Sequence, residues 1–188
     1  MSLYDEYTSG NAEFPLPEDA KEFWDSDKEL EAGQREMAKA DCKEWQLLSL
    51  RANGGFEDKS GGKKIVVNIR AKGLDDAYPH TGEVAYWLEQ RFVDNPKHPQ
   101  RRTAAMLGKM MQALGLIPED AAPETAVEAL DQLVQAASKN TPPATFRAQL
   151  RWEKRAYTGT DGNTYHQRTH EFAFVDNVKP AGKEDLPF

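Results

Sequence analysis

The spacing of apolar residues changes twice along the chain and divides it into strands, helices and strands again. Runs rich in β-branched and aromatic residues, bounded by turn residues, predict strands at 44–52, 64–73 and 83–93. The glycine-rich segment NGGFEDKSGGKK separates the first two strands and predicts a long-looped hairpin. Alternation of period two returns at 145–159, and the turn at Asp161-Gly162 leads to a fifth strand at 165–175.

Between the third and fourth strands, the period lengthens to about 3.6 residues, which predicts helices at about 100–115 and 124–139. The apolar face of the first helix carries Ala104, Leu107, Met111 and Leu114, and Gly115 is a suitable C-cap. The apolar face of the second helix, which follows Pro123, carries Val127, Leu130, Val134 and Ala137. The element order is therefore βββ-αα-ββ.

This order predicts a mainly β fold with a helical insertion, in the form of a five-stranded OB-like barrel over residues 44–177. Residues 1–43 form an acidic leader that we expect to be partly disordered, with a short helix from Pro17 to Trp24. Residues 178–188 are too polar to pack by themselves, which predicts a flexible tail.

The net charge of −7 is unevenly distributed along the sequence. Residues 1–44 hold 13 acidic and 5 basic side chains, a net charge of −8, so the remaining residues carry +1. A basic face on the body is therefore compatible with an acidic protein. The single cysteine, Cys42, the lack of a secretion signal and the lack of a long apolar run predict a cytoplasmic protein without a membrane partner.

Alternation within the strands indicates which side chains face outward. If Phe146, Leu150 and Trp152 face the core, then the arginines between them face solvent. The same reasoning exposes Arg70 and Lys72, and one of two phases of the third strand exposes Trp87 and Arg91. Aromatic rings stack on bases and cations follow phosphates, so these surfaces are candidates for binding single-stranded DNA, with the following residues: Arg51, Arg70, Lys72, Trp87, Arg91, Arg147, Arg151, Tyr157 and Arg168.

The alternative for this surface is a buried Trp87 surrounded by arginines that only solvate a β-surface. The hairpin at 154–168 has the same two interpretations, because its basic and aromatic residues can either clamp a strand or be solvated. The cluster of Lys97, Arg101 and Arg102 at a helix start can touch phosphate, although cations there oppose the helix dipole.

Enzymatic motifs are weak in this sequence. The four histidines are scattered, and there is no HExxH, paired CxxC, GxxxxGK[ST], GxGxxG or GxSxG. We therefore expect no metal site, no cofactor and no catalytic residue. A metal-dependent nuclease built on Asp75, Asp76, Glu83 and Lys72 stays open as a minor alternative.

The last five residues, EDLPF, carry a resemblance to a known family. They resemble the acidic C-terminal tip of bacterial and phage single-stranded DNA-binding proteins, in which acids precede a small apolar residue, proline and phenylalanine. Glu184, Asp185, Pro187 and Phe188 match that pattern, and Leu186 stands where isoleucine is usual. A looser likeness to phage-encoded members, over residues 45–188, lies in MMQALG and in the hairpin AYTGTDGNTY.

The resemblance implies a non-catalytic protein that coats single-stranded DNA in phage replication, recombination and repair. It implies that the tip, Glu184, Asp185, Leu186, Pro187 and Phe188, recruits partner proteins, because Phe188 can enter an apolar pocket while its carboxylate meets a cation. The acidic leader and the tip can also compete with DNA for the basic face. The other interpretation is a protein-interaction module of a recombination complex without DNA affinity; RNA binding and homo-oligomerisation also stay open.

Overall fold

The computed structural model of the protein describes residues 13–25 and 30–181, and in these residues it has a six-stranded antiparallel sheet and four helices. The strands are β1 (Arg35–Lys39), β2 (Glu44–Glu57), β3 (Lys63–Gly73), β4 (Thr81–Glu89), β5 (Ala144–Thr158) and β6 (Thr164–Pro180). The helices are α1 (Glu18–Asp25), α2 (Gln90–Val93), α3 (Pro99–Ala113) and α4 (Ala126–Ala137). The predicted mainly β fold with helices between strands is confirmed.

Strand pairing follows the path β4-β3-β2-β5-β6, and every pair is antiparallel. β5 is long enough to pair with β2 through Ala144–Arg147 and with β1 through Arg151–Arg155 along the same edge. At the two ends of the path, the Tyr86 hydroxyl donates to the Phe172 carbonyl and accepts from the Phe172 N–H, both at 2.9 Å. The sheet therefore curls so that β4 and β6 come into contact through this side chain, although among the described residues no ladder of backbone hydrogen bonds joins the two strands.

The core lies on the inner face of the curled sheet, where the predicted alternation holds. Ile65, Val67 and Ile69 of β3 are buried, and so are the β5 side chains Phe146, Ala148, Leu150 and Trp152. The β4 side chains Val84, Tyr86 and Leu88 are buried too, so the phase of this strand turns Trp87 outward. This phase was the assignment that the sequence left open.

Helices α3 and α4 cover one end of the core. Leu107, Met110 and Met111 of α3 are buried, as are Leu130 and Leu133 of α4. The buried residues of α4 are Ala126, Leu130, Leu133, Ala136 and Ala137, whereas Val127 and Val134 are only half-buried. The predicted face is therefore confirmed at Leu130 and Ala137 and wrong at the two valines, because contacts with β2, β3 and α3 set the rotation of this helix.

Two strand assignments differ from the expectation. The six strands exceed the predicted five because β1 pairs with β5, although REMAK has no apolar alternation that would mark it as a strand. The third predicted strand ends at Glu89, since β3 offers no partner before Lys63, and the chain turns into α2. The Gln90 side chain accepts from the Lys63 N–H at 2.9 Å at this corner.

The described part of the leader packs against the sheet. Phe14 is 2% exposed and contacts the rings of Trp45, Tyr78, His170 and Phe172 at centroid distances of 5.4 to 6.4 Å. Tyr78 donates its hydroxyl to the Pro15 carbonyl. A Cβ atom at Gly82 of β4 would lie 2.6 Å from the Phe14 ring, so only glycine allows this approach. Phe14 thus fills the space beside the seam between β4 and β6.

Candidate nucleic-acid interface

The outer surface of three neighbouring strands carries cations and aromatic rings in register. Antiparallel pairing aligns Arg51 with Asn68 and Ala85, and aligns Phe56 with Lys64. We call this surface the β2–β3–β4 face; its members are Arg51, Phe56, Lys64, Asn68, Arg70, Lys72 and Trp87. The sheet brings together residues from three separate stretches of sequence.

An aromatic pair lies at one end of the face. The rings of Phe56 and Trp87 meet edge to face, with centroids 5.3 Å apart. The Lys64 ammonium lies 5.1 Å from the Trp87 ring centroid and 3.5 Å from a Glu89 carboxylate oxygen. Both rings are half-buried, so the pair combines a fixed apolar surface with a cation.

The other end of the face is cationic. Arg51, Arg70 and Lys72 are exposed, and within residues 13–25 and 30–181 no carboxylate forms an ion pair with them. Glu83 lies opposite Arg70 in the ladder, but it accepts from the Asn68 amide at 2.7 Å. Arg51 and Lys72 therefore have no carboxylate opposite them in the ladder, whereas Arg70 lies opposite the negative charge of Glu83.

A tight turn borders the aromatic end. The Asp58 carboxylate accepts from the Ser60 N–H, the Ser60 hydroxyl and the Gly62 N–H at 2.6 to 2.8 Å. The Ser60 hydroxyl contributes most to holding the pKa of Asp58 below its usual range. The turn between β2 and β3 is thus held by local bonds next to Phe56.

The hairpin of β5 and β6 extends from the opposite side of the sheet. Near its tip, Tyr157 and Tyr165 stack at 5.8 Å, and the Arg155 guanidinium lies 5.8 Å from the Tyr157 ring. The Tyr165 hydroxyl donates to Asp161 at 2.5 Å and is the main reason that the pKa of Asp161 is lowered. Arg151, further from the tip of the hairpin, forms an ion pair with Glu171 in which two guanidinium nitrogens donate to one carboxylate oxygen.

The nine predicted DNA-binding residues separate into groups in the structure. Arg51, Arg70, Lys72 and Trp87 lie together on the β2–β3–β4 face, and the outer side of β5 carries Arg147, Arg151 and Tyr157. The remaining two do not join either group.

Arg91 and Arg168 are the two predicted residues that the fold places elsewhere. Arg91 lies in α2 instead of a strand; it covers the Phe92 ring at 4.2 Å and forms an ion pair with Glu89. Arg168 pairs with buried Lys154, so it lies on the opposite side of the hairpin, where its guanidinium covers Trp24 of α1 at 5.7 Å. Arg91 lies in α2 because β4 already ends at Glu89. Arg168 faces the other way because alternate residues of a strand point to opposite faces of the sheet.

Sequence reasoning missed Phe56 and Lys64 as members of the face. The glycines at positions 54 and 55 led to a predicted strand end at 52, whereas β2 continues to Glu57 through a bulge between Asn53 and Phe56. Gly55 has a φ of 91°, which is the conformation that such a bulge favours in glycine. A glycine inside an apolar run is the signal that could have indicated a bulge instead of a loop.

The candidate nuclease carboxylates do not form one cluster. Asp75 accepts from the Lys43 N–H at 2.6 Å, which is the main cause of its lowered pKa, and Glu83 is bonded to Asn68 on the outer face of β4. In the described part of the chain, no group of three or more histidine, cysteine or acidic side chains could hold a metal ion. The tip residues Glu184–Phe188 lie outside the described residues.

Comparisons with known proteins identify no relative: no family model, no curated protein and no solved structure matches this chain. Among the described residues, none of the helices has both the length and the apolar character needed to cross a membrane.

Proposed function

We propose that this chain binds single-stranded DNA on the β2–β3–β4 face and performs no covalent chemistry. The observation that carries the proposal is the Phe56 and Trp87 pair beside Arg51, Arg70 and Lys72 on one surface. Stacking on an aromatic side chain is worth roughly 1–3 kcal/mol per base and tolerates any base, while cations attract the phosphates. The arrangement therefore suits a strand of arbitrary sequence.

The proposal includes an OB-like barrel made of β2 to β6, with β1 as an added strand. The first strand of such a barrel pairs with the second and the fourth, as β2 pairs with β3 and β5. We propose that this barrel closes between β4 and β6, and the hydrogen bond from the Tyr86 hydroxyl to the Phe172 carbonyl supports this closure. In this correspondence, β3 and β4 are the second and third strands, whose outer face binds oligonucleotides in OB-folds.

The two loops that flank the binding face of an OB-fold also have counterparts here. The Asp58–Gly62 turn follows the first barrel strand, and the tip at Gly159–Asn163 joins the last two. The Tyr157 and Tyr165 pair near that tip offers a second stacking surface. We propose that the β5–β6 hairpin contacts the same DNA strand that binds to the β2–β3–β4 face.

Salt-dependent binding of a labelled oligo-dT, followed by fluorescence anisotropy with and without magnesium, tests this function. Affinity should fall steeply with salt, and Arg70→Ala should reduce the slope of log K against log salt by about 0.7, because one phosphate contact is lost. Lys109→Ala is the control, since Lys109 is an exposed cation on α3 that belongs to none of the candidate phosphate contacts. It should leave the slope unchanged.

Other results would favour the alternatives. Absence of binding at low salt would reject the proposal and favour a protein-interaction module. Degradation of the oligonucleotide only with magnesium, lost in Asp75→Asn or Asp76→Asn, would favour a nuclease.

We also propose a biological setting, which rests on the resemblance given by the sequence. We place the protein in DNA replication, recombination and repair of a phage, in the host cytoplasm, and assign partner recruitment to Glu184–Phe188 on the resemblance of that segment. Phe188→Ala should abolish recruitment and leave oligonucleotide affinity unchanged, because it removes the phenyl ring that would enter an apolar pocket of the partner. Partner binding that survives this substitution would reject the role of the segment.

A further inference from the structure

An exposed phenylalanine occupies an unfavourable backbone conformation on β6. Phe174 is 75% exposed and has a φ of 56°, in the left-handed region that favours glycine. It lies at a bulge, where two residues of β6 stand opposite one residue of β5, between the Gln149–Ala173 and Arg147–Asp176 pairs. Bulges redirect side chains and are frequent next to functional sites. The bulge here turns a large apolar ring into solvent.

The ring stands at the edge of an open hollow of about 780 Å³, where β5 and β6 meet the β1–β2 connection and the β3–β4 loop. We call it the Phe174 hollow. Ala40, Cys42 and Ala148, all buried, form its floor. The Arg151 guanidinium lies 5.7 Å from the ring centroid of Phe174, so a cation already borders this aromatic side chain.

Charges of both signs surround the hollow. The cations are Lys39, Lys43 and Arg147, and the carboxylates are Asp41, Asp75, Asp76 and Asp176. Four acids against three bases give the hollow no attraction for a phosphate. Carboxylates accept hydrogen bonds from amino groups, so the site suits a neutral aromatic ring that carries such donors.

The hollow adjoins the cationic end of the β2–β3–β4 face. Lys72 pairs with Gln46, and Gln46 pairs with Thr145, two residues before Arg147. The Leu74 N–H donates to the Glu44 carbonyl at 2.9 Å, and Glu44 pairs with Arg147. A DNA strand that leaves the face at Lys72 of β3 therefore reaches the hollow by crossing one β-strand, β2.

We propose that the Phe174 hollow takes one unstacked nucleobase that bears an exocyclic amino group, with its ring against Phe174 and its amino group towards Asp76 or Asp176. This inference rests on the proposed binding of single-stranded DNA. It adds a preference among bases that the β2–β3–β4 face alone does not provide, because stacking there accepts any base. Cytosine carries the amino group and thymine does not.

Competition binding with oligo-dC and oligo-dT of equal length tests the inference, since both bases are pyrimidines of the same ring size. The protein should bind oligo-dC about tenfold more tightly than oligo-dT. Phe174→Ala and the double variant Asp76→Ala/Asp176→Ala should reduce this ratio towards one. Leu48→Ala, which shortens another exposed apolar side chain that does not line the hollow, should keep the ratio.

The results separate the inference from the function on which it rests. If the protein binds oligo-dT and oligo-dC with equal affinity, the proposed base preference of the Phe174 hollow is rejected, and the proposed function is not affected. A preference that Phe174→Ala does not change overturns the hollow in the same way. Failure to bind either oligonucleotide at low salt overturns both. Because Phe174 and the two aspartates lie at the surface, an unchanged urea midpoint verifies that each variant is folded.

Discussion

Replacing Phe14 with alanine tests whether the leader is part of the folded core. The Phe14 ring is surrounded by four aromatic side chains and packs on Gly82, so its removal leaves a cavity that rigid rings cannot fill. Deleting a buried phenyl ring costs about 3–5 kcal/mol. With a urea m-value of about 2 kcal/mol/M, the midpoint of unfolding should fall by about 1.5–2.5 M.

Phe174→Ala is the matched control for this experiment, because the same substitution at a largely exposed position should cost less than about 0.5 kcal/mol. Urea unfolding of both variants, followed by tryptophan fluorescence, measures the difference. Equal midpoints for the two variants would refute the reasoning and show that the Phe14 ring adds no more to stability than an exposed phenyl ring does.

The contact with Gly82 gives a second measurement of the same packing. Gly82→Ala places a methyl group within 2.6 Å of the Phe14 ring and should destabilise the protein. In the Phe14→Ala background, part of this cost should disappear, giving a coupling of about 1 kcal/mol or more. Additive effects would mean that the two residues do not touch in solution.

Three further predictions concern stability. Burial lowers the pKa of His170 to about 4, whereas the pKa of a histidine in the unfolded chain is near 6.5. Between these two pH values the unfolded state binds more protons than the folded state, so the free energy of unfolding should fall by about 3 kcal/mol as the pH drops from 6.5 to 4. His170→Gln should remove this part of the pH dependence, and an unchanged profile of stability against pH would contradict the prediction. Phe174→Gly should raise the free energy of unfolding by about 0.5–1 kcal/mol, because relief of the positive φ is worth about 1–2 kcal/mol and the freer unfolded chain offsets part of it; a lower urea midpoint would contradict this balance. Thr125→Ala should cost about 1 kcal/mol in thermal or urea unfolding, since Thr125 and Glu128 form a capping box at the start of α4; no loss would show that the cap is dispensable.

The comparison of sequence with structure is clearest in the strands. Alternation at Ile65, Val67 and Ile69 and at Phe146, Leu150 and Trp152 was sufficient to predict which faces are buried, because a side-chain period of two leaves one face for the core. The sequence could not choose the phase of β4 with the same certainty, since both faces carry aromatic residues. Pairing with β3 decided it.

Local pattern and tertiary pairing decided different parts of this molecule. The sequence alone determined the mainly β composition and the inward faces of β3 and β5, since these depend on neighbouring residues. Only the tertiary structure decided that REMAK is a strand, that Arg168 lies apart from Arg70, and that Phe14 fills the core. These outcomes depend on contacts between residues distant in sequence, whose free energies no local pattern records.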